Sequence, residues 1–180
     1  MNRRDAIRGL ALAGALGKVE GAPRASGAEG PKPLERDGLR AWLETSLRRV
    51  YPTSPPREAP ALEMLAARNE RLSLQACFRN LETNSAIVRC DVSAPEGWGV
   101  RVRRVGFVPM QHLDTYTPKE ELEGIGFIPG LCPDPLYDDP RAHVGPESNG
   151  VFWVSLVVPE GATPGVHEVR VKLTLENRYG

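Results

Sequence analysis

The sequence predicts an all-β chain: a two-layer antiparallel sandwich of immunoglobulin-like type with one long proline-rich loop. Three observations lead there. Residues 70–79 alternate, with Leu72, Leu74, Ala76 and Phe78 set against Ser73, Gln75, Cys77 and Arg79, which is the period of a half-buried strand. Seventeen prolines and eighteen glycines punctuate the chain in clusters, as strands joined by turns require. No segment is periodic enough at helical spacing to suggest βαβ units, and no internal repeat of roughly 20 to 50 residues is visible.

The N-terminal residues read as an address rather than as fold. Arg3, Arg4 and Arg8 precede the apolar run Gly9-Leu10-Ala11-Leu12-Ala13-Gly14-Ala15-Leu16. That run is far short of the roughly 20 residues a spanning helix needs, so no transmembrane span is expected. It matches the apolar region of a secretory signal, and Asn2-Arg3-Arg4-Asp5-Ala6-Ile7 resembles a twin-arginine signal. Residues 1–30 are therefore expected to carry an export signal and the start of a linker, with cleavage at a small-x-small site such as Ser26-Gly27-Ala28. The protein would be periplasmic or extracellular. Residues 31–38 complete a linker rich in Gly, Ala, Pro and charge, and the sandwich is expected over 39–180.

Within the sandwich, residues 39–51 fit helix or strand spacing. Strand is expected, because Pro52, Pro55 and Pro56 end the run and further strands follow. Residues 61–67 form a short apolar run. Residues 70–79 and 86–94 read as a hairpin about the turn at 80–85. Facing the apolar sets of that hairpin places Cys90 inward and Cys77 outward, so a bridge between them would need a bulge. Residues 100–108 alternate again, 151–158 form a strongly apolar strand, and 166–175 alternate as the last strand. Glu176-Asn177-Arg178-Tyr179-Gly180 resembles the opening of a hairpin turn with no returning strand, which suggests a sandwich cut short at its C-terminal end.

Residues 109–146 lose the pattern. They hold seven prolines and are too long for an ordinary connection. Their apolar side chains, Tyr116, Ile125, Phe127, Ile128, Leu131, Leu136 and Tyr137, argue for an ordered excursion packed on the sandwich.

The composition excludes some functions. Lys plus Arg equals Asp plus Glu at 23 each, so there is no basic surplus to attract nucleic acid. His112, Asp114, Asp134, Asp138, Asp139 and His143 crowd the long loop, yet their spacing is ordinary turn chemistry, and no metal or cofactor site is assigned. Glu120-Glu121 and Asp138-Asp139 are adjacent acids on a loop, a poor way to hold two carboxylates across a glycosidic bond. No catalytic residue is assigned. Exposed aromatics could cover the apolar face of a sugar. Trp98, Tyr116 and Tyr137 are candidates, whereas Trp42 and Trp153 lie in strands and are expected in the core. The residues assigned to glycan or partner contact are Tyr116, Leu131, Asp134 and Tyr137.

Several short segments together resemble a family. Ala66-Ala67-Arg68-Asn69-Glu70-Arg71 leads into Leu72-Ser73-Leu74-Gln75; Val105-Gly106-Phe107-Val108-Pro109 precedes Ile128-Pro129-Gly130-Leu131-Cys132-Pro133-Asp134-Pro135-Leu136; Phe152-Trp153-Val154 and Ala162-Thr163-Pro164-Gly165 follow. Their order is similar to that in the N-terminal β-sandwich domain of glycoside hydrolase family 123-like proteins, over roughly residues 39–180. The resemblance implies a sandwich that precedes a catalytic barrel acting on N-acetylgalactosamine-type sugars, with the acid pair in the barrel and hence outside this chain. The implied role is a non-catalytic accessory module whose partner is that barrel. A free-standing carbohydrate-binding module and a structural cell-envelope domain are the alternatives.

The export reading makes the first prediction. Protein recovered from the producing cell should lack residues up to about the small-x-small site, as N-terminal sequencing would reveal; an intact Met1 in the cytosolic fraction would rule the signal out.

Overall fold

The computed structural model describes residues 7–15, as backbone, and residues 34–179. Arg3, Arg4 and the Ser26-Gly27-Ala28 site lie outside the described residues. Two sheets pack face to face. One has five strands in the order β4-β1-β11-β6-β9, and the other six in the order β2-β3-β5-β10-β7-β8. The strands are β1 (Ile7–Ala15), β2 (Leu34–Arg36), β3 (Leu39–Thr45), β4 (Ala61–Ala66), β5 (Arg71–Asn80), β6 (Ser85–Ser93), β7 (Gly99–Met110), β8 (Gly130–Tyr137), β9 (Arg141–Val144), β10 (Asn149–Val157) and β11 (His167–Tyr179). Among the described strands every ladder is antiparallel except that of β1 with β11. The fold is the two-layer antiparallel sandwich expected from the alternating runs.

The core follows from those runs. Leu72, Leu74, Ala76 and Phe78 of β5, with Phe152, Val154 and Leu156 of β10, meet Val88 and Cys90 of β6 and Val169, Val171 and Leu173 of β11. Full burial of each large aliphatic or aromatic side chain stabilises the fold by about 1.5–3 kcal/mol. Phe78 and Phe152 stack with centroids 6.0 Å apart. Phe78 needs a glycine across from it: a Cβ built at Gly150 would lie 2.2 Å from Phe78 Cζ.

Several expectations are corrected. β5 and β6 are not a hairpin; they lie in different sheets and form an arch over the core. Alternation identifies inward residues, and strands side by side and strands facing across a core give the same pattern. Asn80, wholly buried, fastens the arch. Its Nδ2 donates to the carbonyls of Asn84 (2.7 Å) and Gly145 (3.1 Å), and its Oδ1 accepts from Arg178 Nη1 at 2.9 Å. The inward and outward placement of the cysteines agrees with the sequence reading: Cys90 lies in the main core, Cys77 lies on the other face of its strand, and both are free thiols.

The long excursion contains two strands. β8 and β9 occupy residues 130–144, which leaves an irregular segment of 111–129 with one 3₁₀ turn at Lys119–Glu121. The prolines hid β8. Pro133 and Pro135 lack N–H donors, which bars a central position but suits β8, the edge strand beside β7. The sheet also begins inside the expected linker, since Leu34–Arg36 pairs with Leu39–Ala41. Three residues are too short a run to show a period. At the other end Asn177 opens no turn. β11 continues through it, with a bulge after Leu175, and Asn177 pairs with Ile87. Eleven strands are described where the sequence offers seven runs (39–51, 61–67, 70–79, 86–94, 100–108, 151–158 and 166–175), because β1, β2, β8 and β9 were not read as strands.

The close fit of Gly150 under Phe78 yields the second prediction. Gly150→Ala should cost about 1–3 kcal/mol by overpacking. In a Phe78→Ala background, itself costing about 3–5 kcal/mol, the same change at 150 should cost much less. Urea unfolding of the four proteins checks this; equal costs in both backgrounds would contradict it.

Candidate functional site

The outer face of the six-stranded sheet is partly roofed. The segment between β3 and β4 crosses it and is held by two buried side-chain amides. Gln75 Nε2 donates to the carbonyls of Thr45 (2.7 Å) and Arg48 (2.6 Å). Asn149 Nδ2 donates to those of Tyr51 (2.8 Å) and Ser54 (2.7 Å). Under this roof Trp42, Val50, Cys77, Val105 and Val151 form a second, smaller core, with Trp153 and Leu136 packed partly against it. Glu44 is buried beside it, and Arg57 Nη1 donates to both of its carboxylate oxygens at 3.1 and 2.9 Å.

Where the roof stops, a groove of about 460 Å³ opens. Cross-strand register aligns its floor, since Glu44 pairs with Gln75 and Gln75 with Trp153, which in turn pairs with Arg103. Trp153 is half-buried and lines the floor beside Gln75. Arg48 and Arg49 stand on one wall; Pro133, Asp134 and Leu136 of β8 stand on the other. A second hollow of about 400 Å³ adjoins it, lined by Tyr51, His112, Asp114, Glu121, Ile128 and Cys132 among others. Arg49 and Glu123 line both, and their ion pair at 3.0 Å stands between the two hollows.

The irregular segment 111–129 forms the far bank. It is pinned where Phe127 stacks flat on Tyr51, centroids 4.4 Å apart and planes 1° from parallel. Gly124 allows this approach. Its φ is +85°, and a Cβ there would lie 2.6 Å from the Tyr51 hydroxyl. Asp114 orders the start of the segment by accepting from Thr117 Oγ1 (2.5 Å) and the Tyr116 N–H (3.1 Å), which hold its carboxyl below the usual carboxylate range.

The residues assigned from sequence to glycan or partner contact do not form one surface. Asp134 is exposed on the groove wall. Tyr137 follows Leu136 in β8 and so faces the other side of the sheet. There its ring lies under the Arg104 guanidinium, 4.5 Å from the centroid, and against Gly106. Leu131, 47% exposed, opens β8 opposite Pro109, and Tyr116 stands 95% exposed on the segment beyond. Trp98 packs on the main core near His167, centroids 5.4 Å apart.

Trp153, expected in the core, packs against the second core and also lines the groove. A strongly apolar strand reads as buried on both faces, and β10 is, except where the roof ends. Gln75, Arg48 and Arg49 were missed because a single polar residue in a strand or turn carries no pattern. The loop acids are also dispersed. Asp138 is held by Arg101 through contacts of 3.0 and 2.7 Å, which lower its pKa. Asp139 caps the Arg141 N–H at 2.9 Å, and His143 sits on β9 in the other sheet. Among the described residues no three His, Cys, Asp or Glu side chains stand close enough to hold a metal ion, and no helix is long and apolar enough to cross a membrane.

Fold and surface together define a two-layer β-sandwich module with an open, aromatic-floored groove on the outer face of its larger sheet. No protein-family model matches the chain, and no curated protein matches it. Among solved structures it has a distant likeness to a family 123 glycoside hydrolase from Clostridium perfringens, described for glycolipid glycan hydrolysis, at 12% identity and a TM-score of 0.48. That match covers 78% of this chain and 26% of the other, so this chain spans about a quarter of the hydrolase's length.

The two buried thiols, Cys90 in the main core and Cys77 in the second, give the third prediction. Burial pushes Cys90 up to about 12, with the charge of Asp91 adding to it. Burial likewise holds Cys77 well above the ordinary thiol range, with Glu44 adding. In the unfolded chain both would ionise near the ordinary value of about 8.5. Their contribution to stability is therefore complete below that pH and is lost as pH rises toward the folded values, by up to ~1.4 kcal/mol per unit for each thiol. Urea midpoints should fall between about pH 8 and 10, and less steeply in Cys90→Ala. An unchanged slope in that variant would contradict the assignment.

Proposed function

We propose that this chain is a non-catalytic accessory module of an exported, glycoside-hydrolase-like protein, and that the groove floored by Trp153 holds a saccharide. The observation that carries the reading is the setting of Trp153. A half-buried indole lies in an open groove whose walls bring guanidinium, amide and carboxylate groups to its edges. Apolar sugar faces stack on such rings, while planar polar side chains bond the hydroxyls around them. Rigidity favours binding, because the floor is cross-strand register and the wall is β8. The acids nearby suit polar contact better than proton transfer. Glu123 is engaged by Arg49 and Glu44 by Arg57.

A second reading, in which a catalytic barrel docks on this module, draws support from exposed apolar residues on the far bank. Met110, Tyr116, Ile125 and Leu131 all lie on β7, β8 or the segment joining them. A partner barrel would cover them, leaving the groove open.

The fourth prediction separates the two. Titration calorimetry with a panel of N-acetylhexosamine-containing oligosaccharides should detect binding. Trp153→Ala should weaken it about fivefold or more, since stacking contacts on an aromatic ring contribute about 1–3 kcal/mol. Asp134→Ala, an exposed change that leaves the fold intact, should weaken it several-fold, and Tyr116→Ala should leave it unchanged. Lack of binding to any saccharide, together with capture of a barrel protein that fails on Leu131→Asp, would replace this reading with the docking one.

A further inference from the structure

Residues 9–16 carry the character of a segment removed on export, yet Ile7–Ala15 runs through the interior of the five-stranded sheet. One molecule cannot use the segment both ways. On one side β1 lies antiparallel to β4, with Leu10 opposite Met64 and Leu12 opposite Leu62. On the other it lies parallel to β11, with Leu10 opposite His167, Leu12 opposite Val169 and Gly14 opposite Val171. Among the described strands β4 has no other ladder partner.

β4 is nevertheless fixed independently of β1. Just before it, the Leu43 N–H donates to the Ala59 carbonyl at 2.7 Å. Just after it, the Asn69 N–H donates to the Val158 carbonyl at 3.0 Å, and the Val158 N–H returns to Glu70 at 2.9 Å. All those partners belong to the β3 and β10 side of the molecule. Ala66 is buried and Leu62 and Met64 pack on the main core. So β4 is tethered at both ends and seated on the core, one strand's width from β11. Taking Ile7–Ala15 away would leave a slot bordered by two rows of unpaired backbone groups, above the core residues Val169 and Val171. Buried backbone donors and acceptors without partners are costly, and an edge that presents them is a template for an added strand.

We infer that the slot between β4 and β11 is a strand-acceptor site. Ile7–Ala15 fills it in the unprocessed chain, and after export an extended segment of a partner polypeptide takes its place. The timing rests on the export reading; the acceptor rests on the two ladders. The occupant's chemistry follows from what the slot holds now. It is about nine residues in extended form, parallel to β11, without proline, and small or aliphatic at the registers opposite Val169 and Val171.

The fifth prediction tests this on the whole chain. A protease site is placed within residues 16–33, the folded protein is cut, and a labelled synthetic peptide of residues 5–17 is added in excess. The cut protein should retain its N-terminal segment on gel filtration and exchange it for the labelled peptide, seen as a rise in fluorescence anisotropy. Its melting temperature should climb with peptide concentration. A peptide with Leu12→Pro, which loses a ladder donor, should bind at least tenfold more weakly. Release of the segment with an unchanged melting temperature and no peptide uptake would overturn the proposal. So would unfolding on cutting that no peptide reverses, or equal binding of the proline peptide. An intact Met1 in the cytosol would remove the export step alone, because peptide exchange reads the acceptor directly.

Discussion

Two amide side chains carry the organisation of the outer surface. Gln75 and Asn149 are nearly inaccessible to water, and each spends its amide N–H groups on two backbone carbonyls of the segment crossing the six-stranded sheet. A buried amide without partners is expensive, and so is a buried loop carbonyl. The amide N–H groups and the loop carbonyls meet each other's need here, while Asn149 Oδ1 is buried without a partner among the described residues. Once the segment lies across the sheet, Val50 joins Trp42, Cys77, Val105 and Val151 in a second core where a sandwich would ordinarily be wet, and Tyr51 beside it is buried. Tyr51 in turn receives Phe127, which fixes the bank of 111–129. The groove is the gap left between this roof and β8.

How much of this was legible depends on what alternation can encode. The inner faces of β5, β7 and β11 could be read directly, because apolar and polar residues alternate along each of these runs. The pairing of β5 could not, since facing and neighbouring strands share a pattern. β8 was opaque because prolines at 133 and 135 erased its strand signature, while its edge position made them harmless. β2 is too short for a period, and β1 wore the signature of an export segment.

The site was read less well than the fold. Of the four contact residues named from sequence, Asp134 lines the groove. Tyr137, grouped with Asp134 in the sequence reading, belongs to the opposite face of the same strand. Trp153 was expected in the core because it lies in a strand. Whether an outward residue of a doubly covered strand meets roof or solvent depends on the lateral extent of a distant loop, which no local pattern records.

The prolines of β8 also bear on how copies of this protein meet. An incoming chain reaching that edge of the six-stranded sheet finds an interrupted row of hydrogen-bond donors, although Leu131 and Tyr137 offer it apolar surface. Across the same sheet the outermost strand, β2, is only three residues long. The larger sheet is thus blunted at both margins. At high local concentration, lateral growth into fibrils is disfavoured there, so the chain can keep a sticky-looking rim without the hazard that a continuous, proline-free margin of the same composition would bring.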